Sequence, residues 1–201
     1  MMKIFKKAKE FYRKKIAALY YRFIMGKFGG NSLLVRPTAI DGAENIYIGE
    51  NVIIAYGAWL AAVPHTGKVN CKLVIGNNTY IGRYGHIYAV SRISIGNKVL
   101  IADKVYISDN SHTYTNTKIP VIDQPVIELK SVEIKDGAWL GENVCIVGSS
   151  VGYNSVVAAN SVVLRDIPDY CVAAGAPAVV IKRYNNETGQ WQKTTPDGEF
   201  I

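Results

Sequence analysis

His112 closes the six-residue unit 107–112 (ISDNSH), and the chain then passes at once into residues 113–131, which carry Pro120 and Pro125 and keep no repeat. An imidazole at such a junction stands exposed beside a projecting loop. With an unperturbed pKa of about 6.5 it can accept a proton at neutral pH, which makes general-base catalysis the chemistry to consider. Position alone fits a surface histidine without a role equally well. Asp109, three residues before it, is a candidate to orient the ring. His86 closes another unit, but counting in sixes places it on a different corner from His112 within one chain; an adjacent subunit offers it a route to the same site, and a corner histidine without a role is the other reading. His65 lies in a shorter irregular stretch and is assigned nothing.

Other chemistries find less support. No Ser-His-Asp or Cys-His constellation is visible, so covalent acyl transfer need not be invoked. Cys71, Cys145 and Cys171 form no CxxC pair, and Cys145 ends a repeat unit as a packing residue does. Reduced thiols in a cytoplasmic protein are the simplest account. The three histidines stand 21 and 26 residues apart, so a three-His zinc site would require every one of them.

The elements that must position these residues follow from one period. Aliphatic residues return every six positions at Ile48 and Ile54, at Ile75, Ile81 and Ile87, at Ile95, Ile101 and Ile107, at Ile134, Leu140 and Ile146, and at Val151, Val157 and Val163. Gly, Ala or Ser follows ten of these fourteen anchors, as a tightly bending coil requires. The spacing predicts an all-β fold, a parallel β-helix whose anchors fill a prism interior. A β-sandwich would alternate with period two and vary its turns. The coils are expected from near Asn45 to about Pro168, with excursions at 60–73 and 113–131.

Residues 1–30 carry nine Lys or Arg against Glu10, and the remainder of the chain is nearly neutral, which accounts for the net charge of +7. Within them, residues 3–25 read as an amphipathic helix. Ile4, Ala8, Phe11, Tyr12, Ile16, Leu19, Tyr20 and Phe23 form its apolar stripe, and Gly26, Gly29 and Gly30 end it. Such a stripe packs on the β-helix or on a neighbouring subunit, or lies on an anionic membrane surface. No nucleic-acid motif accompanies the charge, so no nucleic-acid partner is expected. No stretch is long and apolar enough to span a bilayer. Three parts result: a basic helix over 1–30, the β-helix over 31–184, and a polar tail over 185–201 that is expected to be poorly ordered at its end.

Several segments carry a family resemblance: 95–102 (IGNKVLIA), 108–112 (SDNSH), 134–145 (IKDGAWLGENVC), 156–168 (VVAANSVVLRDIP) and 175–178 (GAPA) followed by Lys182. Over about residues 40–185 the chain resembles the hexapeptide-repeat acetyltransferases, in the branch that O-acetylates bacterial surface polysaccharides, near the maltose and galactoside acetyltransferases. The resemblance implies a left-handed coil, a homotrimer, and acetyl-CoA as acyl donor in the cleft between neighbouring coils, with no metal required. It also implies direct transfer to a hydroxyl of a sugar or glycan precursor with His112 as base. By the same resemblance Trp139, Gly141 and Ala159 match positions along the pantetheine arm, and Arg165 and Lys182 match basic positions near the CoA phosphates. Asp109, Asn110 and His86 are the implied acceptor contacts. Related enzymes often have a second His where Asn110 stands and a Thr where Leu164 stands. N-acetylation of an amino-sugar nucleotide is the nearest alternative. A γ-carbonic-anhydrase-like zinc trimer and a non-catalytic trimeric scaffold are the alternatives from other classes.

Overall fold

The computed structural model describes residues 16–65, 67 and 70–201. The repeat forms a left-handed parallel β-helix with three faces. The first face holds Lys27–Phe28, Ile46–Ile48, Lys72–Ile75, Arg92–Ile95 and Val132–Ile134. The second runs from Leu33–Leu34 through Ile53–Ile54, Tyr80–Ile81, Leu100–Ile101, Trp139–Leu140 and Val156–Val157 to Cys171–Gly175. The third holds Ala39–Asp41, Trp59–Ala62, His86–Ala89, Tyr106–Ser108, Cys145–Val147 and Val162–Val163.

Register follows the anchors. Ile48, Ile75, Ile95 and Ile134 are successive partners on the first face. Ile54, Ile81, Ile101, Leu140 and Val157 align on the second, and Leu60, Ile87, Ile107, Ile146 and Val163 on the third. All of them are buried in one apolar column. Each such side chain contributes about 1.5–3 kcal/mol on burial, so a one-residue slip that turned a face outward would be heavily disfavoured. Coil stacking is close enough to dictate small residues: a Cβ at Gly76 would lie 2.5 Å from the carbonyl of Gly96.

The six-residue step holds within each coil from the first face to the second and from the second to the third. It fails only at the corner from the third face back to the first, where the anchor-to-anchor step is 8 (Ile40 to Ile48), 15 (Leu60 to Ile75), 8 (Ile87 to Ile95), 27 (Ile107 to Ile134) and 5 (Ile146 to Val151). The two regular corners turn through a left-handed residue three positions before the next anchor. Asn78, Lys98, Asn143, Asn154 and Asn160 do this with φ of 48–59°, a region Asn tolerates better than most side chains. The irregular corner is released from that geometry, and both excursions leave there.

Several expectations are corrected. The coils begin at Lys27–Phe28 rather than near Asn45, because Phe28, Leu34 and Ile40 are themselves anchors paired with Ile48, Ile54 and Leu60. The first excursion is shorter than 60–73, since Trp59–Ala62 is still coil and the next strand starts at Lys72. The second is an antiparallel ribbon at its base, Asn110–His112 against Val126–Glu128. The polar tail is folded: Ala178–Asn185 pairs antiparallel with Cys171–Gly175 on one side and Gln190–Lys193 on the other, and Tyr184 meets Trp191 edge to face at 5.6 Å.

Of the helix expected over 3–25, residues 3–15 lie outside the described residues. The described part is Ala18–Ile24. It docks through Ala18, Tyr21, Ile24 and the following Met25, with the Tyr21 ring 5.3 Å from Phe28. The stripe of Ile16, Leu19, Tyr20 and Phe23 points away from the chain's own core, with Phe23 90% exposed.

Candidate active site

A cavity of about 530 Å³ opens where the ribbon leaves the third face. One wall is the outer surface of that face. Trp59, His86 and Tyr106 are register partners on consecutive coils, each immediately preceding an anchor. Their rings form a continuous stack, with Trp59 and His86 parallel at 4.3 Å and His86 and Tyr106 edge to face at 5.0 Å. The Trp59 Nε1–H donates to Asp41 Oδ2 at 2.6 Å, which fixes the indole. Tyr88, two residues after His86, lies on the same wall, and its hydroxyl shares a hydrogen bond with His65 Nε2. The facing wall is the ribbon, with Asn110, Ser111, His112 and Val126.

His112 is exposed and pairs in the ribbon with Val126. Its ring has no hydrogen-bond partner among the described residues. Asn110 is tied down at both ends: its backbone N–H donates to Ser108 Oγ at 3.1 Å, and its side-chain amide donates to the Tyr88 carbonyl at 3.1 Å. The ribbon base is therefore locked to the coil below, which holds His112 at the cavity mouth.

Asp109 departs from its expected place as an acceptor contact or orienting group for His112. It is fully buried, and its carboxylate accepts backbone N–H bonds from Val90 at 2.8 Å, Ser91 at 2.9 Å and Arg92 at 2.7 Å. Successive side chains on an extended strand point oppositely, so the neighbour of a cavity residue is turned into the corner. Asp109 pins the turn beneath the ribbon and is closed to substrate. His86 is in register with Tyr106, one unit before His112, so the two stand on different corners as expected. The correction is that they share the cavity within one chain, because the outer surface of the third face forms one wall and the ribbon the other. Burial lowers the His86 pKa, and its Nε2 has no hydrogen-bond partner.

Three aromatic residues and His65 were not anticipated. An aromatic or imidazole side chain directly before Leu60, Ile87 and Ile107 was the available signal for an outward stack. All three histidines thus line one cavity, yet among the described residues no three His, Cys, Asp or Glu side chains are placed to share a metal ion. Burial raises the thiol pKa values of Cys71, to about 11, and of Cys145 and Cys171. Protonated thiols are poor nucleophiles.

The remaining expected residues lie elsewhere. Trp139 is exposed on the second face, aligned with Leu100 and Tyr80 in an outward apolar row. Ala159 is exposed at the corner that follows, while Gly141 is buried beneath it, where a Cβ would meet the Ala159 nitrogen at 2.5 Å. Coil packing alone accounts for that glycine. Arg165 and Lys182 are exposed near the C-terminal end of the prism, and Lys182 is the strand partner of Lys193. The structure does not bring these five residues to the His112 cavity within one chain.

The chain is 35% identical over 175 residues to a putative lipopolysaccharide biosynthesis O-acetyl transferase of Escherichia coli K12, spanning 83% of this chain and 86% of that one. It belongs to the hexapeptide-repeat acetyltransferases, in their O-acetyltransferase branch. A putative acetyltransferase of Saccharomyces cerevisiae is 41% identical over 164 residues, covering 81% and 68% of the two chains. Among solved structures, a hexapeptide-repeat acetyltransferase of Vibrio cholerae superposes with a TM-score of 0.61 at 24% identity, covering 86% of this chain and 82% of that one. An N-acyltransferase of Bacillus cereus, in complex with dTDP and 3-hydroxybutyryl-CoA, superposes at 0.70 with 19% identity, covering 86% and 90%. No protein-family model matches the chain. The apolar row on the second face, with the cations Arg165 and Lys182 beyond it, suits a long arm ending in phosphates.

The depressed His86 pKa has a consequence for stability. Above the ordinary imidazole value of 6.5 neither the folded nor the unfolded ring binds a proton. As pH falls below that value the unfolded chain gains a proton that the folded ring refuses, so stability declines until the folded pKa is reached. His86→Gln should flatten the fall of the thermal midpoint between about pH 7 and pH 5. An unchanged slope in that window would show that His86 is not the group responsible.

Proposed function

We propose that this acetyltransferase moves the acetyl group of acetyl-CoA to a hydroxyl of a sugar unit in a surface-glycan precursor, in one direct step with His112 as general base. The observation that carries this reading is the cavity where an unpartnered His112 faces an aromatic, hydroxyl-bearing wall. The imidazole takes the proton of the acceptor hydroxyl as that oxygen attacks the thioester carbonyl, and returns it to the departing CoA sulfur. Direct transfer is favoured by the raised thiol pKa values, which leave no cysteine nucleophile at neutral pH. The lipopolysaccharide relative supports a glycan acceptor. His86 and Asn110 are the acceptor contacts in this scheme.

Geometry supports the homotrimer. In a three-sided prism the corner between the third and first faces lies opposite the second face. His112 leaves from that corner and Trp139 stands on the second face. One chain cannot bring both to one thioester, whereas neighbouring copies with faces turned inward can. Trp139 and Ala159 of one copy then line the donor arm, Arg165 and Lys182 meet its phosphates, and His112 of the next copy reaches the acetyl group.

The location in this scheme is cytoplasmic, at the inner membrane surface. Among the described residues no helix is long and apolar enough to cross a membrane. The exposed stripe of Ile16, Leu19, Tyr20 and Phe23, within a 30-residue segment that carries nine cations, fits an anionic bilayer surface.

Thiol release from acetyl-CoA with sugar acceptors tests the base. His112→Ala should lower turnover by about 10² to 10⁴-fold with acetyl-CoA affinity retained; near wild-type turnover would refute the assignment. Flotation with phosphatidylglycerol vesicles tests the stripe. The protein should float at low salt, and Leu19→Asp with Phe23→Asp should abolish it; equal flotation of the double variant would remove the stripe from the account.

A further inference from the structure

The cavity holds more than the proposed reaction uses. Trp59, Tyr88 and His65 have no part in proton transfer, yet each is held in place. Trp59 is gripped between Asp41 and the His86 ring. Tyr88 stands edge to face to Trp59 at 5.9 Å and nearly parallel to His65 at 5.8 Å, with the two side chains also hydrogen bonded. His65 reaches this position from the first excursion and His112 from the second, so both departures from the repeat converge on one space.

Charge narrows what the space accepts. Among the described residues lining it none is Lys, Arg, Asp or Glu. Two carboxylates stand behind the wall. Asp41 holds the indole and adds to burial in pushing the Tyr88 pKa up, and Asp109 lies buried under the ribbon. An anionic ligand would meet these carboxylates behind the wall with no cation among the described lining residues to answer it. A neutral ring with apolar C–H faces and several hydroxyls suits aromatic edges interrupted by a phenol and imidazoles.

We infer that Trp59, Tyr88 and His65 form an acceptor subsite for an uncharged pyranose, with the Tyr88–His65 pair as its specificity-determining contact. The inference rests on the glycan O-acetyltransferase reading and adds the acceptor's charge class. Carboxylated sugars are excluded from the cavity, and any phosphate of the acceptor stays outside it. Tyr88 and His65 bind ring hydroxyls, leaving the hydroxyl nearest His112 to react.

Methyl glycosides of neutral hexoses and of the matching hexuronates serve as probes, read by thiol release for KM and by saturation-transfer NMR for binding without turnover. The wild type should prefer the neutral glycosides by at least about tenfold in kcat/KM. Tyr88→Phe and His65→Ala should each raise the acceptor KM by about tenfold, the scale of one lost hydrogen bond, with the acetyl-CoA KM unchanged. Trp59→Ala should abolish the saturation-transfer signal. Acetyl transfer with unaltered acceptor KM in these variants, or a preference for hexuronates, would overturn the subsite and leave the acetyltransferase reading standing. Binding that depends on these side chains without any transfer would leave the subsite and overturn glycan acetylation. Neither binding nor transfer would overturn both.

Discussion

Every feature of this protein depends on the six-residue step that delivers one aliphatic side chain to the prism interior per face. Ile81, Ile101 and Leu140 stack in register with no polar atom between them, and the backbone carbonyls and N–H groups of their strands are satisfied by the coils above and below. Such a column tolerates no insertion within a face, because a shift of one residue exchanges inside for outside. Variation is confined to the corner from third face to first, where no interior residue has to be delivered on schedule. The ribbon of residues 110–128, the His65 excursion and the Asp109 staple all occupy that corner.

Function follows from that confinement. A rigid face supplies an outward row of side chains at fixed spacing, and the adjacent corner, free of the repeat, supplies a ribbon within reach of it. Trp59, His86 and Tyr106 are spaced by the ladder itself, so the aromatic wall needs no loop to position it. His112, the proposed base, is carried on a ribbon whose foot is bonded to the wall through Asn110 and stapled below through Asp109. Preorganisation of this kind suits the proposed direct transfer, in which the protein contributes chiefly orientation and proton handling. The second face, opposite the corner, carries an outward apolar row that does not reach the His112 cavity within one chain.

Much of this was legible in the sequence, and the losses have physical causes. The anchors from Ile48 to Val163 announced the solenoid because burial on every face enforces them. Phe28, Leu34 and Ile40 escaped notice because the eight-residue step before Ile48 interrupts the count. Counting units set His86 one corner from His112 but could not show that the face between them lines a single cavity. Asp109 looked functional through adjacency to His112 in sequence, while strand alternation turns it the other way. His65 was invisible because its excursion carries no period, and only folding brings it to Tyr88. Of the stripe expected on the N-terminal helix, the described Ile16, Leu19, Tyr20 and Phe23 face outward, and the residues that dock the helix, Ala18 and Tyr21, belong to the other side.

The central claim is that the base and the donor-binding face of one active site come from different copies of the chain. Trimers formed by co-expressing His112→Ala and Trp139→Ala chains test it directly by acetyl-transfer assay. Each variant alone should be nearly inactive, and equal mixing should restore about a quarter of wild-type activity, since that share of clefts pairs an intact His112 with an intact Trp139. Mixed trimers no more active than the average of the two parents would contradict the account.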